Sequence, residues 1–311
     1  MHIRKSSLTR RRAVLCGLLT AIPCSIFSGS ILPTNFLYGE NAEDLTERLS
    51  GIEKKSGGRL GCAVLDTATG RQGAYRGDER FPMCSTFKMA AVSLVLHRVD
   101  LGQEQLDRRI AFTEKEILEY APVTKEHVGG QGMTVAELCG AAVTWSDNTA
   151  ANLLLASFGG PAALTAFLRE TGDDQTRLDR TEPTLNTAIL GDPRDTTTPL
   201  AMLGTLRRLV LGDVLKPASR GMLVHWMRDC QTGREALRAG VPAEWTEGDK
   251  TGSGENGTSN DIAVFWPLSR VQGRGPVLVT AYLTETKLAS EGRSAILAEA
   301  GRTVATMLKM A

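Results

Sequence analysis

The sequence has 311 residues, of which 42% are hydrophobic and 23% charged, a composition typical of a soluble globular protein. A chain of this length can bury a hydrophobic core large enough to be stable without disulfides or bound metal ions. Lysine and arginine total 36 and aspartate and glutamate total 35, and a balance this even argues against a nucleic-acid or membrane-surface partner. Aromatic residues are 5% of the chain, too few to indicate a surface that stacks nucleic-acid bases.

The start of the chain has the layout of a leader. A basic segment that ends at Arg12 precedes an uncharged segment that continues to Gly39 and is mostly apolar in its first half. This layout predicts a secretory signal peptide over 1–39, with its cleavage point left open. The pair Arg11 and Arg12 resembles a twin-arginine export signal.

Two alternatives would keep the leader in a membrane. An uncleaved anchor is disfavoured because Pro23, Ser25 and Ser28 interrupt the apolar stretch. A lipid anchor on Cys16 or Cys24 is disfavoured because neither cysteine has the small residue before it that such anchors require. We therefore expect an exported protein, periplasmic or secreted, that is monomeric and has no stable membrane association after processing.

Export would place the cysteines in a compartment that permits disulfides. The sequence contains no C-x-x-C and no Cys/His cluster, so it does not favour a zinc site, and we expect neither metal nor cofactor. The cysteines that follow the leader are Cys62, Cys84, Cys139 and Cys230.

The chain after the leader predicts strands at both ends with helices between them. An amphipathic helix is predicted over 42–55, and a hairpin follows with strands over 60–66 and 72–76. Thr134 and Glu137 form a capping box at the start of one middle helix. The predicted middle helices cover 85–99, 134–145, 149–157 and a segment that starts at Pro161.

Periodicity disappears over 177–199, and a long irregular segment inside a compact domain is usually functional. Later predicted elements are strands over 261–266 and 277–284 and a helix over 291–310.

These elements predict an α/β (α+β) fold. An antiparallel sheet domain flanked by helices would be built from both termini, 40–80 and 230–311. An all-helical domain, 81–229, would be inserted into it and would include the loop 177–199. A cleft between two such domains is a favoured place for a small-molecule site.

Ser85 and Lys88 form the first chemical motif. Their spacing of three places both side chains on one face of a helix. A serine nucleophile needs a base within hydrogen-bond reach, and burial lowers the pKa of a lysine enough for it to serve. The alternative is a capping serine beside a solvated lysine, which the apolar helix disfavours.

Two further motifs follow along the chain. Ser146-Asp147-Asn148 offers a hydroxyl that can relay a proton and an amide that can hold a substrate, although turn chemistry alone favours the same residues. Lys250-Thr251-Gly252, expected just before a strand, offers a positive charge and close access to a strand edge. An exposed hairpin is the alternative for that segment.

In this order, the three motifs resemble those of class A serine β-lactamases and penicillin-binding proteins. A fourth segment, Arg180–Asn186, resembles the class A omega-loop motif and lies in the loop without periodicity. The chain thus resembles a class A serine β-lactamase over nearly all of its mature length. The resemblance implies hydrolysis of penicillins and cephalosporins, β-lactam resistance and no cofactor.

The resemblance also implies residue roles. Ser85 attacks the lactam carbonyl, Lys88 takes part in acylation and Ser146 passes a proton to the leaving nitrogen. Glu182 activates the water that attacks the acyl-enzyme, and whether Lys88 or Glu182 is the acylation base stays open. The implied substrate-binding residues are Asn148, Asn186, Lys250, Thr251, Gly252, Ser253, Tyr120 and Arg293.

The chain departs from some relatives of this family. Gly254 stands where a partner for Cys84 would be, and Val92 where a partner for Cys139 would be, so we expect both thiols to be reduced. Ser259 stands where some relatives carry an arginine, and Arg293 is a candidate for that charge. A solvated helix-start residue is the alternative for Arg293, and a surface aromatic is the alternative for Tyr120.

Two other functions use the same serine–lysine chemistry. One is a penicillin-binding D,D-peptidase, and the other is a β-lactam sensor domain that stays acylated. Glu182 disfavours both because neither needs a deacylation base. The absence of a G-x-S-x-G motif from the sequence argues against an ordinary α/β-hydrolase.

Overall fold

A central antiparallel sheet organises the fold. The computed structural model describes residues 35–36, 40–267 and 275–309, so nearly all of the predicted signal peptide lies outside the described residues. The strands are β1 (Asn35–Phe36), β2 (Arg59–Asp66), β3 (Arg71–Tyr75), β4 (Phe81–Pro82), β5 (Arg109–Ile110), β6 (Met133–Thr134), β7 (Thr196–Thr197), β8 (Thr246–Gly254), β9 (Thr258–Trp266) and β10 (Val277–Thr284). The main sheet has the order β1-β3-β2-β10-β9-β8, and its β1–β3 pair is parallel.

The two ends of the chain meet in the middle of this sheet. β10 pairs with β2 along its whole length, from Val277 opposite Asp66 to Thr284 opposite Arg59. Every residue of β10 is buried, as is the interior of β2, because both faces of the sheet are covered. The predicted fold class, an antiparallel sheet flanked by helices and built from both termini, is confirmed.

Helices cover both faces of the sheet. They are α1 (Glu40–Ser56), α2 (Phe87–Asp100), α3 (Val135–Thr144), α4 (Asn148–Phe158), α5 (Gly160–Glu170), α6 (Pro199–Val210), α7 (Pro217–Arg228), α8 (Leu237–Gly240) and α9 (Ser290–Lys309). Apolar residues of α1, α8 and α9 pack against one face. A larger core lies between the other face and the remaining helices, with α2 at its centre. α2 is buried from Phe87 to Leu96, which explains its lack of a polar face.

Most predicted elements are confirmed, including the first helix, the hairpin, the capping box before α3 and the last helix. Two differ. Ser85 lies on a 3-10 turn, Cys84–Thr86, that leads into α2 rather than on the α-helix itself. Lys250 and Gly252 lie inside β8 rather than before a strand. The sequence of this strand is rich in small and polar residues, so its pattern did not predict a strand; β8 forms because it pairs with β9 along its whole length.

The irregular loop 177–199 is tied to the residues that precede Ser85. β7, near the end of the loop, pairs with β4, and the Met83 N–H donates to the Asp195 carbonyl at 2.9 Å.

The division into a sheet domain and a helical domain at 81 and 229 stays a prediction. Within the described ranges no single helix meets the length and hydropathy of a membrane span, and only α4 and α5, bent by 75°, meet them as a pair.

Candidate active site

Ser85 lies where strand β8 passes close to the start of α2. A Cβ atom on Gly252 would lie 3.1 Å from the Ser85 nitrogen and 2.7 Å from the Met83 oxygen, so a glycine permits this approach. Cys84 has a φ of 46° and Ser146 a φ of 58°, a conformation that is costly without glycine and is often found at functional sites.

Lys88 is fully buried one turn after Ser85. Its Nζ donates to the Ser146 carbonyl at 2.7 Å and to the Asn148 Oδ1 at 2.6 Å, and it lies 3.0 Å from the Glu182 Oε1. Burial lowers the pKa of Lys88 from its ordinary value, and the Glu182 carboxylate partly offsets this. The predicted solvated alternative for Lys88 is therefore wrong, because the ammonium has protein partners in place of water.

The segment Ser146-Asp147-Asn148 joins α3 to α4 and does more than turn the chain. The Asp147 carboxylate caps α4 through the Ala150 N–H at 2.9 Å and also accepts from the Thr124 hydroxyl. These bonds hold Ser146 and Asn148 on either side of Lys88. The turn chemistry that favours these residue types thus serves to position two polar side chains.

Lys250 is the second lysine that contacts Ser146. It is fully buried, and its Nζ donates to the Ser146 Oγ at 2.9 Å and to the Thr251 carbonyl at 2.8 Å. Burial, together with the positive charge of Lys88, lowers the pKa of Lys250 to about 8. The Ser146 hydroxyl therefore lies within reach of two buried lysines, Lys88 at 3.4 Å and Lys250 at 2.9 Å, and both have lowered pKa values.

Glu182 faces Ser85 from the omega loop. Its Oε1 accepts from the Ser85 Oγ at 3.0 Å, and its Oε2 accepts from the Asn186 Nδ2 at 2.5 Å. The Oδ1 of Asn186 is buried without a protein partner, which leaves an acceptor free beside Glu182. The Glu182–Pro183 peptide bond is cis.

Asn152 is a positioning residue that the sequence motifs did not include. Its Oδ1 accepts from the Glu182 N–H at 3.0 Å, and its Nδ2 donates to the Glu182 carbonyl at 2.9 Å. The only signal in the sequence is its place one helical turn after Asn148, on the same face of α4.

The neck of the omega loop is closed by a charged pair. The Arg180 Nε donates to the Asp195 Oδ2 at 2.5 Å. The Asp195 Oδ1 accepts the N–H groups of Asp179 and Arg180 at 2.7 and 2.9 Å. Because Asp195 is 1% exposed, this pair is largely protected from solvent.

A cleft of about 370 Å³ opens beside these groups. Tyr120, half-exposed, lines it, while the charged ends of Lys88, Lys250 and Glu182 lie behind its wall. Arg293, which is partly exposed, is not among the lining residues, but its Nε donates at 2.9 Å to the Oγ of Ser259, which is. The lining hydroxyls and amides include Ser85, Ser146, Asn148, Asn186, Thr232, Thr251, Ser253, Ser259, Asn260, Ser290 and Ser294.

The four cysteines of the described chain are buried free thiols. A Cβ on Gly254 would lie 2.7 Å from the Cys84 Sγ, so Gly254 does stand where a bridging partner would be. Burial raises the pKa of both Cys84 and Cys139, which makes them unreactive. In the part of the chain that the structure describes, no group of His, Cys, Asp and Glu could hold a metal ion.

A buried serine with a carboxylate acceptor, a neighbouring lysine and a second hydroxyl between two lysines defines a serine hydrolase of the acyl-transfer type. The "Beta-lactamase enzyme family" matches residues 44–308 of this chain. Beta-lactamase CTX-M-8 of Citrobacter amalonaticus is 47% identical over 297 residues, 96% of this chain and 99% of that protein. Beta-lactamase OXY-2 of Klebsiella oxytoca is 44% identical over 287 residues, 92% of this chain and 95% of that protein.

The solved structures give the same result. The class A β-lactamase of the last common ancestor of Gram-negative bacteria superposes with a TM-score of 0.82 at 62% identity, covering 85% of this chain and 99% of that chain. The protein described here therefore belongs to the β-lactamase enzyme family, within class A. It is a hydrolase that acts on β-lactams and confers resistance to them.

Proposed function

We propose that the chain hydrolyses penicillins and cephalosporins in two steps, acylation of Ser85 and hydrolysis of the resulting ester. One observation carries this proposal: Ser85 Oγ lies 3.0 Å from a buried carboxylate, Glu182, which itself lies 3.0 Å from the Lys88 ammonium. A serine hydroxyl becomes a nucleophile when a base within hydrogen-bond reach accepts its proton.

In the first step Ser85 Oγ bonds to the lactam carbonyl carbon and loses its proton to the Lys88–Glu182 pair. Glu182 is the member that accepts a hydrogen bond from Ser85, which favours it as the first acceptor. The C–N bond of the lactam then breaks, and the nitrogen takes a proton from Ser146. The Ser146 hydroxyl recovers a proton from Lys250, which donates to it at 2.9 Å. The proton that Glu182 took from Ser85 then moves through Lys88 and Ser146 to Lys250, which restores the Glu182 carboxylate and the Lys250 ammonium.

In the second step a water adds to the ester carbon and gives its proton to Glu182. The buried, unpaired Asn186 Oδ1 and the Glu182 carboxylate provide two acceptors for that water beside Ser85. Asn152 holds the Glu182 backbone in place through two hydrogen bonds. The ester C–O bond then breaks, the Ser85 oxygen takes the proton back from Glu182, and the hydrolysed product, a penicilloate in the case of a penicillin, departs.

Substrate recognition is assigned to the rim of the cleft. Because the Asn148 Oδ1 already accepts from Lys88, its Nδ2 is the group left to donate to a substrate side-chain carbonyl. Thr251 and Ser253 donate to the substrate carboxylate, with the charge of Lys250 behind them. Gly252 lets the strand approach the substrate, Tyr120 lines the cleft entrance and Arg293 adds positive charge through Ser259.

The remaining assignments concern the setting of the enzyme. The leader over 1–39 supports export, so that the mature enzyme is periplasmic or secreted. The pair Arg11 and Arg12 favours the twin-arginine route. The substrate is a small β-lactam, the enzyme acts as a monomer, and it needs no nucleic acid, stable membrane contact, metal or cofactor.

Mass spectrometry with a slow substrate tests the nucleophile. The mature wild-type protein should carry one adduct on the peptide that contains Ser85. Ser85→Ala should carry none and should lose turnover by about 10⁶-fold, the scale seen when a serine nucleophile is deleted. Ser93→Ala is the matched control, because Ser93 is a buried serine on the same helix whose hydroxyl bonds only within α2. An adduct on another peptide would contradict the assignment.

A further inference from the structure

The loop between α7 and β8 brings to the cleft a hydroxyl that none of the sequence motifs contains. Thr232 lines the cleft, and its Oγ1 lies 2.5 Å from the Oγ1 of Thr251. On its other side, the same oxygen lies 3.4 Å from the Sγ of Cys230, a buried thiol. Cys230, Thr232 and Thr251 therefore form a hydrogen-bonded chain that leads from the protein interior to the cleft.

The backbone around Thr232 is held against its neighbours. The Gln231 N–H donates to the Thr144 carbonyl at 2.9 Å, which ties the loop to the end of α3. A Cβ on Gly233 would lie 1.5 Å from the Oδ2 of the buried Asp249, so any larger residue here would have to displace that carboxylate, and the glycine lets the loop lie close to β8. These contacts on both sides of Thr232 keep its hydroxyl over Thr251.

The number of hydroxyl protons on Thr232 and Thr251 determines which of the two residues donates and which accepts. Each hydroxyl carries one proton, and the contact between Thr232 and Thr251 uses one of the two. A carboxylate bound at Thr251 can only accept, so Thr251 must then give it its own proton. Thr232 becomes the donor to Thr251, and its oxygen is free to accept from the Cys230 thiol. Hydrogen bonds arranged donor to acceptor in this way strengthen one another.

The burial of the Lys250 ammonium makes the direction of the Thr232–Thr251 hydrogen bond important for substrate binding. Lys250 is fully buried, and its Nζ bonds inside the protein, to Ser146 and to the Thr251 carbonyl. A substrate anion in the cleft is therefore met directly by hydroxyl groups, with the lysine charge one layer behind. The orientation of the Thr251 proton then decides how well this end of the cleft accepts an anion.

We propose that Thr232 is a substrate-positioning residue that, by donating to Thr251, commits the Thr251 proton to the carboxylate of the β-lactam. The inference rests on the proposed function, in which Thr251 binds that carboxylate. Thr232 acts through Thr251 and is needed for tight binding of the anionic substrate rather than for the bond-breaking steps.

The test compares benzylpenicillin with its methyl ester, which has the same ring but no carboxylate charge. Thr232→Val keeps the shape of the side chain and removes the hydroxyl. We expect its KM for benzylpenicillin to rise about 3- to 10-fold, the range of one hydrogen bond, with kcat within twofold of wild type. For the ester, kcat/KM should change less than twofold. Thr232→Ser, which restores the hydroxyl, should return the KM for the acid to within twofold of wild type.

Two further variants complete the experiment. Thr306→Val removes a threonine hydroxyl that bonds only to the backbone of its own helix, and it should leave both substrates unaffected. Thr232→Ala provides a second hydroxyl deletion if the valine variant folds poorly, as judged by Tm. Equal losses for acid and ester in the Thr232 variants, a loss in kcat alone, or no rescue by serine would overturn the inference. Failure of the wild type to turn over benzylpenicillin would instead overturn the proposed function.

Discussion

Replacing Glu182 with alanine separates the two steps of the proposed reaction. The carboxylate of Glu182 is a hydrogen-bond acceptor for Ser85 and Asn186 and lies 3.0 Å from the Lys88 Nζ. Its removal leaves the deacylating water without a base, while Ser85 keeps Lys88 nearby. We therefore expect Glu182→Ala to acylate with a penicillin but to stall as the ester.

The direction of the pKa shift of Lys88 supports continued acylation. Burial lowers this pKa, and the Glu182 anion raises it again. Loss of the anion removes the largest contribution that opposes burial, so the pKa of Lys88 falls further and the lysine gives up its proton more readily. Deacylation has no such substitute. General-base assistance contributes about 10²–10⁴-fold, and turnover should fall by at least this factor.

A quenched-flow experiment measures both steps at once. Glu182→Ala should release one equivalent of product as a burst, followed by almost no turnover, and the intact protein should carry the mass of the acyl group. Glu170→Ala removes an exposed glutamate at the end of α5 and serves as the control, with unchanged turnover. Wild-type turnover in Glu182→Ala would refute its role as the base. A burst without turnover in the wild type would favour the peptidase or sensor alternatives.

Three other predictions concern the loop, the thiols and pH. Asp195→Asn weakens the neck pair of the omega loop, so deacylation of small penicillins should slow while bulky cephalosporins gain room; unchanged kinetics for both classes would show that the pair does not position Glu182. Thiol titration of unfolded, unreduced protein should find Cys84 and Cys139 free. In the native state both thiols should react slowly, because they are buried and their pKa values are raised. A mapped disulfide at either cysteine would contradict this. Because burial lowers the pKa of Lys250 to about 8, its charge is present below that pH and lost above it, so KM for benzylpenicillin should rise between pH 7 and pH 9; a flat KM would mean that the lysine charge does not assist carboxylate binding.

The sequence by itself determined the chemical class and much of the secondary structure. Ser85 and Lys88 are one turn apart, so their proximity follows from local geometry alone. The capping box of Thr134 and Glu137 and the loss of periodicity over 177–199 are likewise local signals, and the structure agrees with both. Local patterns are readable because neighbouring residues determine them.

Only the tertiary structure decided how the motifs meet. The hydrogen bonds between Lys88 and Ser146, Ser85 and Glu182, and Lys250 and Ser146 span 58, 97 and 104 residues. No periodicity encodes such distances, which depend on how the helices pack on the sheet. Strand β8 was not predicted for the same reason: it is a strand because it pairs with β9, and its own composition does not favour one.

The positioning residues show this limit most clearly. Asn152 holds Glu182 across 30 residues, and Thr232 reaches Thr251 across 19. An asparagine on a helix and a threonine in a loop are common, and neither carries a signal until folding places it beside its partner. The sequence thus identified the groups that react, and packing identified the groups that hold them, because reaction chemistry needs particular residue types whereas positioning needs only a hydrogen bond at the right place.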